Sequence, residues 1–205
     1  MAKTFTSGEV LTASDVNVNL ATFMPAIPTS VSGTGVAYST TTGLVTLTNA
    51  TSVAINGVFT STYSRYVMQY DIPTASASIS YILRMRAAGV SDNTSVYDSQ
   101  RIVSKGNDAT SPQSANILAA SGWLLGSSNA TTLQCGSIDF FRPATATPTM
   151  ITGQSFATLN PSTAAVTTQL VQIGGLHRSS TAYDGLTIVL SSGNITGTIK
   201  IYAYN

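Results

Sequence analysis

Charged side chains are scarce in this sequence, since Asp, Glu, Lys and Arg make up only 8% of its 205 residues, against about 25% in an average globular protein. Nine basic and eight acidic residues leave a net charge of +1. Binding to nucleic acid depends on clustered Lys and Arg that contact phosphates. The nearest approach to a cluster is Arg84 and Arg86, which we interpret as paired or solvated charges on one strand face. We therefore expect no nucleic-acid partner.

Cysteine and histidine occur once each, as Cys135 and His177. One cysteine cannot form an internal disulfide, and no Cys/His spacing matches a zinc site. Asp92-Asn93-Thr94 lacks the remaining ligands of a calcium loop. We expect no metal and no other cofactor. We interpret Cys135 as a buried, inert thiol, because free cysteine is among the most buried residue types.

Long apolar runs are also missing. No stretch approaches the ~20 apolar residues of a membrane-spanning helix, and the first residues lack the continuous apolar region of a signal peptide. We expect synthesis in a cytoplasm and no insertion into a membrane. The apolar content of 43% and the near-zero net charge differ from the low-hydrophobicity, high-charge pattern of disordered chains.

What the sequence does have is hydroxyl groups and short alternating runs. Its 58 serines and threonines supply polarity in place of charge, and Thr, Val, Ile and Tyr favour strands. The clearest strand is Ser78–Ala88, where Ile79, Tyr81, Leu83 and Met85 share the predicted core face. The C-terminal pair is as clear: Gly185–Leu190, a turn at 191–194, and Thr196–Tyr204, with Ile199, Ile201 and Ala203 on one face.

The remaining strands are predicted from shorter patterns. Asn56-Gly57 predicts a type I′ hairpin with a return strand beginning at Val58-Phe59. Further strands are expected over Arg65–Ile72, Val96–Ser104, Leu133–Arg142, Thr145–Phe156 and Ala165–Gly174, whereas Ile117–Leu125 fits either a strand or a short helical turn. About ten short strands with turns every 8–12 residues indicate an all-β protein, an antiparallel β-sandwich of jelly-roll-like type.

The N-terminal residues follow a different pattern. Thr12-Ala13-Ser14-Asp15 has the form of a helix start, and Val16, Leu20 and Phe23 continue at helical spacing. The sequence predicts a short helix over about Ser14–Thr22, ended by Pro25 and Pro28, and then a linker to Gly35. We therefore divide the chain into an N-terminal anchor and linker, 1–35, and a β-sandwich domain, 36–205.

No catalytic motif stands out. His177 and Asp184 lie near each other in sequence, but the G-x-S-x-G turn of a serine hydrolase is absent, so we interpret His177 as a hydrogen-bonded loop residue. Nothing indicates the paired carboxylates of a glycoside hydrolase. Aromatic rings of the kind that stack on sugars occur in or beside predicted turns, and for each of them core packing is the expected role. These four rings belong to Tyr63, Tyr66, Tyr97 and Trp123.

Two stretches resemble virion proteins of tailed bacteriophages. The opening, FTSGEVLTASDVN at 5–17, resembles the N-terminus of proteins labelled minor tail or tail fibre proteins, and the closing stretch, from YDGLT at 183–187 to Tyr204, resembles their C-terminal strand pair. Tyr63-Ser64-Arg65-Tyr66 and Leu83-Arg84-Met85-Arg86 are similar to the strand pattern between them. The resemblance implies a β-sandwich component of the virion surface, usually oligomeric. It supplies no catalytic residue and does not separate tail from head.

The sequence therefore predicts a non-enzymatic virion structural protein, either a tail-fibre or receptor-binding component or a head decoration protein. The alternative is a stand-alone carbohydrate-binding module, and a polysaccharide-cleaving enzyme is a third, less favoured class. Expected partners are further copies of the chain, other virion proteins through the N-terminal segment, and a host surface glycan. A trimer follows from the resemblance, with an interface on the helix around Val16–Leu20, on an exposed sheet face, or on both. No ligand-binding residue is assigned.

Overall fold

The chain folds into two antiparallel β-sheets that enclose one core. The computed structural model describes residues 23–106, 112–128, 133–159 and 167–204. This confirms the predicted all-β class and its two-sheet antiparallel architecture, a β-sandwich. No helix in these ranges is long and apolar enough to cross a bilayer.

The strands of the described residues are numbered in chain order. They are β1 Met24–Pro25, β2 Ser30–Ser32, β3 Val36–Tyr38, β4 Val45–Ala50, β5 Ser52–Asn56, β6 Arg65–Ala75, β7 Ile79–Ala87, β8 Val90–Ser91, β9 Tyr97–Lys105, β10 Gln113–Ala120, β11 Trp123–Ser128, β12 Gln134–Phe141, β13 Thr149–Leu159, β14 Thr167–His177, β15 Gly185–Leu190 and β16 Ile195–Tyr204.

The two sheets differ in width. The large sheet has ten strands in the order β10-β9-β14-β13-β12-β6-β16-β4-β3, with β1 paired to β16, and the small sheet has six in the order β11-β7-β15-β5-β2, with β8 paired to β7. The C-terminal pair contributes one interior strand to each sheet: β15 lies between β5 and β7, and β16 between β4 and β6.

The core lies between the facing surfaces of the sheets and follows the predicted alternation. Ile79, Tyr81, Leu83 and Met85 of β7 are at most 2% exposed, as are Ile199, Ile201 and Ala203 of β16. They belong to one continuous apolar cluster together with residues of β4, β5, β6, β12 and β15. Both predictions of core-facing residues are confirmed.

The segment predicted as a linker belongs to both sheets. Met24 and Pro25 pair with Ala203 and Tyr202 of β16, and β2 pairs with β5 through Ser30–Ser32. Pro25 lies in the two-residue strand β1, and a proline is compatible with an edge strand, where a missing N–H faces no partner. The strand-containing part therefore begins before residue 36. The helix predicted over Ser14–Thr22 lies outside the described residues.

The hairpin predicted at Asn56-Gly57 is wrong. Only Gly57 has a positive φ, and β5 pairs with β2 and β15 rather than with a strand that begins at Val58. The Asn56 amide instead donates to Ser30 and accepts from Arg86, so tertiary contacts override the turn signal. A two-residue turn with positive φ at both positions connects β7 to β8 at Ala88-Gly89.

The ambiguous region around Trp123 consists of two strands in different sheets. β10 is the edge of the large sheet, and β11 is the edge of the small sheet. Trp123 is fully buried, and its indole packs so closely against Gly175 of β14 that a Cβ there would lie 2.6 Å from Nε1. The absence of a side chain at Gly175 therefore leaves the space that the indole ring occupies in the core.

Candidate functional site

The outer face of the large sheet carries ordered rows of side chains. Across six adjacent strands, the register aligns Ile102, Gln172, Gln154, Ser137, Gln69 and Lys200, which we call the amide row. Two residues further along each strand, a second row aligns Gln100, Gly174, Thr152, Asp139, Val67 and Tyr202. Strands lie about 4.8 Å apart, so each row extends roughly 24 Å across the sheet.

Apolar side chains flank these two polar rows. Met150 pairs with Leu176 on one side, and Phe156 pairs with Leu170 on the other. All four are exposed although they are large and apolar. Met150 and Phe156 are six positions apart along β13, which corresponds to about 20 Å. The face is thus a polar floor between two apolar ridges.

The floor is concave. A groove of about 630 Å³ is lined by both rows over β9, β14, β13 and β12, within the usual range for ligand sites of about 300–1,000 Å³. Gly174 creates the hollow, because a Cβ there would have no heavy atom within 4 Å. A second hollow of about 320 Å³ continues the rows towards β16, between Gln69 and Lys200.

The carboxylate at the edge of the groove is neutralised by its neighbours. Asp139 Oδ1 lies 3.1 Å from Arg65 Nη2 and accepts a hydrogen bond from the Tyr204 hydroxyl. The Arg65 guanidinium lies over two rings, 4.7 Å from the Phe141 centroid and 4.6 Å from that of Tyr204. Burial, reinforced by the bond to Asp139, raises the pKa of Tyr204 to about 12. The tyrosine therefore remains a neutral donor.

A second cluster surrounds His177 inside the sandwich. His177 is the last residue of β14 and is fully buried. Its Nε2 lies 3.1 Å from Asp92 Oδ2, and the Tyr183 hydroxyl donates to the same oxygen at 2.7 Å. Edge-to-face contacts join the imidazole to Tyr97 at 4.4 Å and to Trp123 at 6.1 Å.

Burial determines the protonation of this cluster. It lowers the pKa of His177, and the attraction of Asp92 does not reverse the shift. For Asp92, burial acts upward, but hydrogen bonds from Thr94 and Tyr183 outweigh it and lower the pKa of the carboxyl. Burial also raises the pKa of Tyr183 to about 12. A neutral imidazole thus donates to a carboxylate, and the cluster connects the β8–β9 loop to the segment that follows β14.

This arrangement corrects one prediction for His177. The histidine ends a strand and is buried, whereas the sequence predicted a residue on a loop. Its acidic partner is Asp92, 85 positions away, and not the nearby Asp184, whose backbone pairs with Arg86 and Phe59. Because the imidazole has no exposed surface, it cannot contact a substrate in this conformation.

The aromatic residues considered for sugar stacking lie in or against the core. Tyr66, Tyr97 and Trp123 are fully buried, and Tyr63 packs on the same cluster. Core packing, the expected role, is confirmed for all four. Cys135 differs from its prediction: it is half-buried on the outer face of the large sheet, beside Asp71 and Phe156.

The basic pair of β7 has local partners. Arg84 donates to the Ser121 carbonyl, and Arg86 donates to Asn56, Ser91 and Thr187 and to the Gly89 carbonyl. Both guanidinium groups are hydrogen-bonded on the outer side of the small sheet, in agreement with the interpretation of this pair as paired charges on one strand face. Within the described ranges, no group of three or more His, Cys, Asp or Glu side chains is placed to hold a metal ion.

Comparison with known proteins adds no assignment. No protein-family model matches the chain, and no curated protein matches it.

The groove residues were missed from the sequence. Gln154 and Gln172 alternate with core residues inside two predicted strands, so the sequence was sufficient to predict that both side chains point away from the core. Their alignment with Gln69 and Ser137 could not be predicted, because it depends on the register of the consecutive strands β12, β13 and β14 and on the pairing of β12 with the distant β6.

Proposed function

We propose that the chain is a non-enzymatic structural protein of a tailed-bacteriophage particle, of the tail-fibre or receptor-binding type or of the head-decoration type. The observation that carries the proposal is the broad outer face of the ten-stranded sheet. It has few charges, its central carboxylate is paired with Arg65, and it rests on a continuous packed core. Such a face suits contact with another surface.

The resemblance of both chain ends to phage virion proteins supports the same proposal. The closing stretch that carries this resemblance forms β15 and β16, an interior strand in each sheet. The buried His177 supports a role in stability rather than in catalysis, because its ring nitrogens are enclosed by Asp92, Tyr183 and aromatic rings.

The test is to count copies of the chain in purified particles by quantitative mass spectrometry against the major shell protein. Hundreds of copies per particle would identify a head decoration protein, and a few to some tens would identify a tail or fibre component. Absence of the chain from purified particles would refute the proposal in both forms.

A stand-alone carbohydrate-binding module is the second candidate, and the groove on the large sheet favours it. The two candidates differ in their need for the N-terminal segment. The first described strand, β1, begins at Met24, so a chain that lacks residues 1–22 keeps the sequence of every described strand, and its binding can be measured. If particle assembly and glycan binding both persist after this truncation, the second candidate is favoured over the first.

A further inference from the structure

We infer that the groove over β9, β14, β13 and β12 is a binding site for an extended, uncharged glycan chain that crosses the strands of the large sheet. The inference rests on the proposed function only in placing the ligand on a host surface. The site itself follows from side-chain chemistry and sheet register.

The hydrogen-bonding groups of the floor match hydroxyl groups. Gln100, Gln154 and Gln172 are exposed on three adjacent strands, and each amide offers two donors and an acceptor with two lone pairs. Thr152 adds a hydroxyl on β13, and Ser137 adds one on the neighbouring strand β12. A sugar hydroxyl also donates and accepts, so it can pair with either end of a glutamine amide.

The shape of the floor indicates a chain rather than a single ring. The amide row crosses six strands, and the second hollow near Gln69 and Lys200 continues the groove in the same direction. The ridges formed by Met150 with Leu176 and by Phe156 with Leu170 run parallel to it. They would contact the C–H faces of sugar rings while the amides contact the hydroxyls.

The charge of the face indicates that the ligand is neutral. Asp139 is paired with Arg65, and Lys200 lies over the Tyr202 ring at 4.9 Å from its centroid. The cations Arg65 and Lys200 are matched in number by Asp139 and Asp71 on the same face. An anionic or cationic glycan would find no excess of opposite charge along the groove.

A second copy of the chain fits this face less well than a glycan does. Burying three glutamine amides against a flat protein surface would leave donors and acceptors unpaired unless the partner matched each of them, and an unpaired buried amide costs about 1–3 kcal/mol. A hydroxyl-rich chain with bridging water satisfies the same groups in many arrangements.

The experiment uses the purified full chain and isothermal titration calorimetry with neutral glucose, galactose and mannose oligomers of two to six units. A sulfated oligomer of each sugar is the charged comparison. We expect saturable binding by a neutral oligomer, with affinity that rises with the number of units, and weaker binding by its sulfated form.

Two variants then locate the site. Gly174→Thr places a branched side chain in the groove without strain, because a Cβ meets open space and the backbone is not left-handed, and threonine favours strands. We expect it to abolish binding at unchanged melting temperature. Gln154→Ala should weaken binding about tenfold, the equivalent of one to two hydrogen bonds. Gln113→Ala on the edge strand β10 is the matched control and should leave the affinity unchanged.

The inference is overturned if none of the neutral oligomers binds, if only the sulfated forms bind, or if Gly174→Thr binds as the parent chain does. It is also overturned if light scattering shows that Gly174→Thr dissociates an oligomer, since the groove would then be an interface between copies. These results are independent of the particle count, so the site and the virion role can fail separately.

Discussion

Replacing Leu83 with alanine should strongly destabilise the fold, whereas the same truncation one residue earlier should not. Leu83 is fully buried on β7, which lies between β11 and β15. Leu83→Ala removes three carbons, about 2–2.5 kcal/mol at ~0.8 kcal/mol per buried methylene. Strands on both sides restrict collapse, so a cavity contribution of about 24 cal/mol per Å³ adds to this. We expect a total loss of about 3–4 kcal/mol in the free energy of unfolding.

Ile82→Ala is the matched control because it removes the same number of carbons from the outer face of the same strand, where Ile82 is half-buried. We expect a loss of about 1 kcal/mol, without a cavity contribution. Urea denaturation at constant m-value measures both changes. Equal losses would contradict this prediction, since they would mean that β7 is buried on both faces and that the small sheet is covered on its outer side.

Three further predictions concern pH, a turn and assembly. The free energy of unfolding should fall as the pH drops below about 6.5, because the pKa of His177 is lowered in the folded state and the unfolded state therefore binds the proton first. His177→Gln removes the only histidine and should flatten the dependence of the unfolding free energy on pH between pH 7 and 5.5, measured by urea titration. An unchanged dependence would assign the effect to other groups. Ala88→Asn should raise the free energy of unfolding by about 0.5–1 kcal/mol, because alanine is strained at the positive φ of residue 88. If thermal denaturation shows no such increase, the assignment of this turn is contradicted. The chain should form a trimer, so light scattering at micromolar concentration should give a mass about three times the 21.2 kDa of one chain. A single species with the mass of one chain would mean that any symmetry is imposed by the particle.

The sequence predicted those features of the fold that depend on local alternation. In β7 and β16 each second side chain is apolar, and burial of one face follows directly from the period of a strand. The Asn56-Gly57 turn failed because Ser30 and Arg86 bind the Asn56 side chain, and the actual positive-φ turn at Ala88-Gly89 has a weaker sequence signal.

The candidate site was much less predictable. The partner of His177 is Asp92 because β9 and β14 are neighbours in the large sheet, and nothing in the sequence near either residue specifies that pairing. The groove has the same origin: Gln154 and Gln172 come together with Ser137 only through the register of β12, β13 and β14. The register between paired strands is the information that alternation within one strand does not contain.

The most direct test of the central claim is an electron cryomicroscopy map of intact particles in which the sandwich can be placed. We expect density for the two sheets on the particle surface, with the outer face of the ten-stranded sheet open to solvent at Gln154 and Gly174. Particles without this density would contradict the virion role, and a map in which another virion protein covers that face would contradict the glycan site.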